Sequence, residues 1–260
     1  LQNGEIINTT LVNYGFDGSF DNGIIAHEYG HGISNRLIGG PSNSNCMQNN
    51  EQLGEGWSDY FGIAITMKPE DTETTSRGVG TFAVNQTIVG NGIRQYPYTT
   101  DMAVNPFTFN NVQDQALADG AVSVHGVGSI WATMLWDLNW KMISVYGFDS
   151  DMYNGTGGNN KTMQLVTEGL KLTPCSSGFI GARDAILAAD IALNEGANQC
   201  LIWGVFARRG LGFNASSGDA NSIVDQTEDF DMPPEEVLPS SSCSTLNLNN
   251  EKLKMFTVYP

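Results

Sequence analysis

Residues 21–37 have the sequence DNGIIAHEYGHGISNRL, which predicts a helix that starts near Gly23 and continues to the end of the stretch. Asp21 or Asn22 is a suitable N-cap, and two glycines and a proline at positions 39–41 stop the helical pattern. This helix contains two of the three histidines of the chain. It therefore decides both the fold and the chemistry that the sequence predicts.

The two histidines have the H-E-x-x-H spacing, with His27, Glu28 and His31 on the predicted helix. Four residues advance about 40° around a helix and roughly 6 Å along it, so both imidazoles project from one face and can bind one ion. Glu28 lies about 100° from His27, which is too far round to ligate easily but suits a base beside a metal-bound water. The motif predicts a catalytic zinc site.

A catalytic zinc ion needs a third protein ligand and an open fourth position. A second helical pattern at residues 51–67 offers Glu55, which has a glycine on either side that permits close backbone approach. Asp59, one turn later, can accept the outer N–H of a ligand histidine. Glu51, one turn earlier, is the alternative third ligand. The predicted ligand set is His27, His31 and Glu55, with Asp59 behind it.

The third histidine, His125, stands where a turn-like stretch enters a strong helical pattern at residues 126–146. If it faces the zinc, its imidazole could donate a hydrogen bond to the oxyanion of a tetrahedral intermediate, with Asp119 or Ser123 orienting it. The alternative is a structural histidine that caps the helix or satisfies a buried carbonyl.

Helical patterns recur later in the chain, whereas residues 68–111 are rich in Thr, Gly, Asn and Pro and predict loops with little regular structure. The fold class predicted is mainly α, with long irregular loops. The later helices are predicted at residues 161–172, 180–194 and 199–208.

Composition excludes several classes of function. The net charge of −16, with only 12 basic residues, would repel phosphate backbones and anionic lipid surfaces, so neither nucleic acid nor membrane is an expected partner. The sequence also lacks a G-x-S-x-G elbow, a P-loop and a G-x-G-x-x-G after a strand, so serine-hydrolase and nucleotide chemistries have no support. Four cysteines without a close pair favour two disulfides and a location outside the cytoplasm, with three pairings open.

A calcium site is conceivable at the acidic turn that contains Asp149 and Asp151. This stretch lacks the Gly and the late Glu of an EF-hand loop, so a solvated acidic turn is the better prediction. Ca²⁺ as a cofactor therefore has no support beyond composition.

Several blocks of the chain resemble the fungalysin-type metallopeptidases, secreted relatives of the thermolysin group. The resemblance implies a gluzincin-type C-terminal helical subdomain, zinc on His27, His31 and Glu55, catalysis by Glu28 and a transition-state role for His125. It also implies a secreted, extracellular endopeptidase that acts on protein or peptide substrates and has a propeptide upstream. The blocks that carry it are residues 27–37, 54–61, 124–128, 131–136, 153–160, 182–187 and 206–212.

The same resemblance implies a disulfide between Cys175 and Cys200, which would leave Cys46 for Cys243. It further implies a β-rich subdomain before the zinc helix, with an edge strand that pairs with substrate. Few residues precede that helix here, so residues 1–232 are expected to be the helical part of a catalytic unit that cleaves peptides weakly or not at all by itself.

The C-terminal part of the sequence changes character. Residues 233–245 are rich in Pro and Ser and predict a linker. Residues 246–260 are expected to start a truncated module, because their end resembles the opening of a C-terminal sorting module of secreted Bacteroidetes proteins. This favours a bacterial, exported protein.

A function of another class is a degenerate, non-catalytic zinc-containing extracellular binding module that uses the loop at residues 68–111. The intact H-E-x-x-H motif argues against it, because Glu28 is dispensable for mere metal retention. A metal-dependent esterase is a further enzyme hypothesis.

Overall fold

The computed structural model describes residues 17–238 and shows a mainly helical chain, as the sequence predicts. Strand pairing among these residues is limited to isolated bridges, such as the one between Arg77 and Tyr98. Short 3₁₀ turns lie at Gly18–Phe20, Phe109–Gln115 and Glu235–Val237. The α-helices are α1 (Asn22–Leu37), α2 (Gly54–Ile65), α3 (Val124–Tyr146), α4 (Gly158–Leu172), α5 (Phe179–Asn194) and α6 (Gln199–Arg208).

The helices occur where the sequence predicts them, and the largest shifts are at the starts of α4 and α2. The pattern predicts α4 from Lys161, but it begins at Gly158. The pattern predicts α2 from Glu51, but it begins at Gly54. Ahead of α2, the Glu51 amide donates to the carbonyl of Ala220, 3.0 Å away, which holds this residue against a distant loop.

Asp21 is the N-cap of α1 and also fixes the long loop that follows α2. Its Oδ1 accepts hydrogen bonds from the amides of Gly23 and Ile24, which have no partner inside the helix. Its Oδ2 accepts from the amides of Phe82 and Ala83. One carboxylate thus sets the start of α1 relative to the loop.

Glycines allow the helix backbones to approach each other closely. A Cβ added to Gly30 of α1 would lie 2.7 Å from the Cα of Ser58 in α2. A Cβ added to Gly56 of α2 would lie 2.4 Å from the carbonyl oxygen of Gly128 in α3. Real Cβ atoms do not come this close to backbone, so the contacts between α1, α2 and α3 depend on glycine.

Helix α3 lies at the centre of the core, between α2, α4 and α6. Trp131 of α3 is fully buried and stacks on Phe206 of α6 with ring centroids 5.6 Å apart. It also makes edge contacts with Trp57 of α2 and with Phe179 at the start of α5. Aromatic pairs of this kind join most of the helices to one core.

The loop between α2 and α3 is held by a buried ion pair. Arg209 is fully buried and its Nε donates to Asp137 of α3 at 2.8 Å. Its Nη1 donates to the carbonyls of Asn105 and Phe107. The loop therefore keeps a defined path without regular secondary structure.

The expected pairing of Cys175 with Cys200 is wrong, because Cys175 forms a disulfide with Cys46. The reason is that α5 separates the two cysteines, and its 16 residues extend about 24 Å at 1.5 Å per residue. Cys46 instead lies beside Cys175, with Cα atoms 4.9 Å apart and the Ser176 amide donating to the Cys46 carbonyl. The expected pairing of Cys46 with Cys243 is therefore also wrong.

Cys200 is disulfide-bonded as well. Cys243 lies outside the described residues, as do most of the predicted linker and the whole module predicted for residues 246–260. Over residues 17–238, none of the helices combines the length and the apolar character that crossing a bilayer requires.

Candidate metal centre

Helices α1 and α2 bring the side chains of His27, His31 and Glu55 together. The Nε2 atoms of the two histidines are 3.1 Å apart, and the Oε2 atom of Glu55 lies 3.2 Å from His27 Nε2 and 3.6 Å from His31 Nε2. The close approach of Gly30 to Ser58 makes this convergence possible, since it brings the two helix backbones within reach.

The geometry of these three residues suits a single zinc ion. A tetrahedral site with bonds of 2.0–2.1 Å has ligand atoms about 3.3 Å apart, close to the observed separations. Among the described residues, Glu55 Oε2 is also a buried acceptor without a hydrogen-bond donor. Two imidazoles and one carboxylate are a typical donor set for catalytic zinc, and they leave a fourth position open.

Asp59 orients His27 from behind. His27 Nδ1 donates to Asp59 Oδ1 at 2.6 Å, which leaves Nε2 free to face the other ligand candidates. Arg94 donates to both oxygens of Asp59, through Nε at 2.7 Å and Nη2 at 2.8 Å, and the Tyr98 hydroxyl donates to Oδ2. Asp59 is fully buried and accepts hydrogen bonds from three side chains.

The electrostatics of the site favour charged groups despite burial. Burial disfavours protonation of His27, yet the hydrogen bond to Asp59 and the nearby Glu55 raise its pKa to about 9. Burial by itself would raise the pKa of Glu55, but His27 and His31 hold it far below its usual range. The pKa of Asp59 is likewise lowered by His27 and Arg94 against the effect of burial.

Arg94 and Tyr98 are site residues that the sequence did not reveal. Both belong to the segment predicted as loops with little regular structure, and no periodicity or motif spacing points from there to Asp59. Arg94 Nη2 also lies 3.8 Å from Glu55 Oε2, so its guanidinium spans the residues behind the site. The only sequence signal is an isolated basic residue in a strongly acidic chain.

Glu28 lies next to His27 on α1 and is exposed. It forms no hydrogen bond or ion pair with any of residues 17–238, in contrast to Glu55 and Asp59. Its carboxylate therefore has no side-chain or backbone partner among these residues.

His125 lies in the first turn of α3, with Nε2 3.4 Å from Glu55 Oε2 and a side chain that is 60% exposed. The residues expected to orient it have other contacts: Ser123 is the N-cap of α3 and accepts from the Gly126 amide, and Asp119 accepts from the Ala121 amide. The cap of α3 is Ser123, so His125 does not cap this helix.

Two other places where the sequence suggests acidic metal ligands lie outside this site. Glu51, the alternative third ligand, is not in the group formed by His27, His31 and Glu55. In the acidic turn, Asp151 accepts from the amides of Tyr153 and Asn154.

The sequence model described as "Fungalysin metallopeptidase (M36)" matches residues 6–215 of this chain. The chain belongs to the fungalysin metallopeptidase family. Among curated fungalysin relatives, extracellular metalloproteinase 2 of Arthroderma otae is 44% identical over 225 residues, covering 84% of this chain and 33% of the relative.

Two further relatives have a similar identity and cover similar shares of the two chains. Extracellular metalloproteinase 2 of Trichophyton tonsurans is 42% identical over 225 residues, with 84% of this chain and 33% of the relative covered. Extracellular metalloproteinase mep of Aspergillus fumigatus is 44% identical over 215 residues, which cover 80% of this chain and 32% of the relative. The matched region of this fungalysin chain thus corresponds to about one third of the length of these relatives.

Proposed function

We propose that this chain forms the zinc-binding catalytic part of a secreted metalloendopeptidase. The observation that carries the proposal is the convergence of three donor atoms from His27, His31 and Glu55 at separations of 3.1 to 3.6 Å. These three residues would hold the ion, and Asp59 would keep His27 in the tautomer that leaves Nε2 available.

A zinc ion held by these residues would supply Lewis-acid polarisation of a substrate carbonyl and would lower the pKa of a bound water. Glu28, exposed and free of ion pairs with the described residues, accepts the proton of the attacking water and delivers it to the leaving amine. His125, whose Nε2 lies 3.4 Å from Glu55 Oε2, donates a hydrogen bond to the oxyanion that develops on the scissile carbonyl.

The substrates and location follow from the relatives, whose names describe them as extracellular metalloproteinases. Protein or peptide substrates are the proposed targets. A disulfide between Cys46 and Cys175 supports a location outside the reducing cytoplasm.

The test is Glu28→Gln in the enzyme that contains this chain. Because the amide keeps the shape of Glu28 but cannot accept the proton, hydrolysis of an internally quenched peptide should fall by at least about 10²-fold. Zinc content, measured by mass spectrometry of the metal, should stay at one ion per chain. His27→Ala is the control that should lose the zinc as well.

Unchanged hydrolysis in Glu28→Gln would contradict the catalytic role of Glu28. A wild type that binds zinc but hydrolyses no peptide would favour the non-catalytic binding module. Loss of zinc from Glu28→Gln would contradict the assignment of Glu28 as a base that does not hold the metal. If His125 is the oxyanion donor, His125→Ala should lower hydrolysis by about 10²-fold and should retain zinc.

A further inference from the structure

Two buried hydroxyl groups, those of Tyr98 and Ser129, lie between the metal centre and α3. Tyr98 is 1% exposed and Ser129 is 3% exposed. The Tyr98 hydroxyl donates to Oδ2 of Asp59, whose Oδ1 accepts from His27. Burial and the carboxylate of Asp59 raise the pKa of Tyr98 well above its ordinary value, so this hydroxyl keeps its proton and remains a donor.

Ser129 connects Tyr98 to the turn of α3 that contains His125. Its hydroxyl donates to the His125 carbonyl at 2.7 Å and also lies within hydrogen-bonding reach of the Tyr98 oxygen. A serine hydroxyl has one proton, so it donates to one of these two oxygens at a time. The Ser129 proton therefore has two acceptors, one in the backbone of His125 and one in the tyrosine that contacts Asp59.

Tyr98 is fixed in place by its backbone and its ring. Its amide and carbonyl exchange hydrogen bonds of 2.8 and 2.9 Å with Arg77, whose Nη2 donates to the Thr66 carbonyl at the end of α2. Its ring belongs to an apolar cluster that includes Ile63 of α2 and Trp136 of α3. A rigidly held hydroxyl can transmit a displacement from α3 to Asp59.

The same turn of α3 also contacts the third ligand candidate. His125 Nε2 lies 3.4 Å from Glu55 Oε2, and a Cβ added to Gly128 would lie 2.5 Å from the Cβ of Glu55. Residues 125–129 thus contact Glu55 directly and the support of His27 through Ser129. The start of α3 is therefore placed to influence both helices that supply ligands.

We propose that Tyr98 and Ser129 are positioning residues that couple the oxyanion donor His125 to the zinc ligand His27 through Asp59. The proposal rests on the proposed function for the role of His125, whereas the coupling to metal binding can be measured without hydrolysis. Residues behind a metal ligand typically change metal affinity by about 10- to 100-fold when they are removed. A small displacement of a group that contacts the reacting carbonyl can lower the rate by about 10²-fold.

The first measurement is zinc affinity, by competition with a chelator, in Tyr98→Phe, Ser129→Ala and the double variant. Tyr98→Phe should weaken zinc binding by about tenfold, because Asp59 loses one of its donors. Ser129→Ala should weaken it by about threefold, although α3 supplies none of the three ligand candidates. In the double variant, Ser129→Ala should add no further loss, because it acts on the metal centre through Tyr98.

Tyr60→Phe and Thr162→Val are the matched controls, and each removes a hydroxyl from a fully buried residue. The Tyr60 hydroxyl donates to the side-chain oxygen of Asn139 at 3.4 Å. The Thr162 hydroxyl donates to the Gly158 carbonyl in α4 at 2.7 Å, the same contact four residues back that Ser129 makes in α3. Both variants should keep the zinc affinity of the wild type.

The second measurement is the hydrolysis of an internally quenched peptide at saturating zinc. Ser129→Ala should lower kcat by about tenfold and leave KM within about twofold of the wild type, because it displaces a group that acts on the transition state. In the His125→Ala background, the same change should lower kcat by less than about twofold. A tenfold loss in both backgrounds would contradict a role through His125.

Wild-type zinc affinity in Ser129→Ala would overturn the coupling, and so would losses that simply multiply in the double variant. A zinc-loaded wild type without hydrolysis would contradict the proposed function and leave the zinc measurements to decide the coupling. Should Tyr98→Phe fail to fold, the zinc affinity of Ser129→Ala against that of Thr162→Val decides it.

Discussion

Asp59 accepts a hydrogen bond of 2.6 Å from Nδ1 of His27, and this contact links the metal centre to the loop behind it. Through Asp59, the position of His27 depends on Arg94 and Tyr98, which approach from a different part of the chain. The first two predictions concern this link.

Asp59→Asn should weaken zinc binding by about 10- to 100-fold, because His27 loses the anionic partner that fixes its ring and raises its basicity. Competition with a chelator of known affinity measures the change. Asp184→Asn is the matched control, since the exposed Asp184 of α5 pairs with Arg183, and its loss should leave zinc affinity unchanged. Equal affinities for wild type and Asp59→Asn would show that His27 needs no such partner.

Zinc binding at pH 7 should release about one proton from His27. The pKa of His27 is raised to about 9 in the absence of metal, so the ring is protonated at pH 7 and must lose its proton to bind zinc. Affinity should therefore rise with pH up to about 9. Calorimetry in two buffers of different ionisation enthalpy counts the proton, and Asp59→Asn should release a smaller fraction. A count near zero in the wild type would refute the raised pKa.

Gly56→Ala should destabilise the fold by about 1–3 kcal/mol, because the new methyl group would meet the backbone oxygen of Gly128, which cannot rotate away. Gly32→Ala on α1 is the matched control: its nearest neighbour would be the end of the Arg36 side chain at 3.9 Å. That change should stabilise the helix by about 0.5–1 kcal/mol. Urea unfolding measures both, and a Gly56→Ala variant as stable as Gly32→Ala would contradict the close contact.

Arg209→Met should cost about 3 kcal/mol in the free energy of unfolding. The change removes one partner of the buried Asp137 and leaves the carbonyls of Asn105 and Phe107 without their donor. Arg36→Met, which removes an exposed arginine that donates only to the Gly32 carbonyl, should change stability by less than about 0.5 kcal/mol. If both variants lost a similar amount of unfolding free energy, the buried contacts of Arg209 would stabilise the fold no more than the exposed contact of Arg36 does.

The sequence predicts the helices well because their signals are local. The apolar spacing of α3 and the capping residue Asp21 act within a few residues of the helix they define. The same holds for the convergence of His27 and His31, which follows from helix geometry alone. The prediction that Glu55 lies beside them rested on one further helix and on the glycines on both sides of Glu55.

The features that the sequence did not predict depend on contacts between distant segments. Arg94 and Tyr98 reach Asp59 from a loop without periodicity. Cys46 and Cys175 are far apart in the sequence, and so are Glu51 and Ala220, whose backbones form a hydrogen bond ahead of α2. None of these contacts has a short-range signal in the sequence.

The double role of Asp21 limits how the metal-binding unit could be moved to another scaffold. A fragment cut to the two ligand helices would keep the three donor residues but lose the amides of Phe82 and Ala83, which meet the second oxygen of Asp21. It would also lose Arg94 and Tyr98, the loop residues that donate hydrogen bonds to Asp59. Any transplanted segment must therefore include at least residues 21–98, and a protein engineer who shortens the intervening loop would remove the residues that support the donor set.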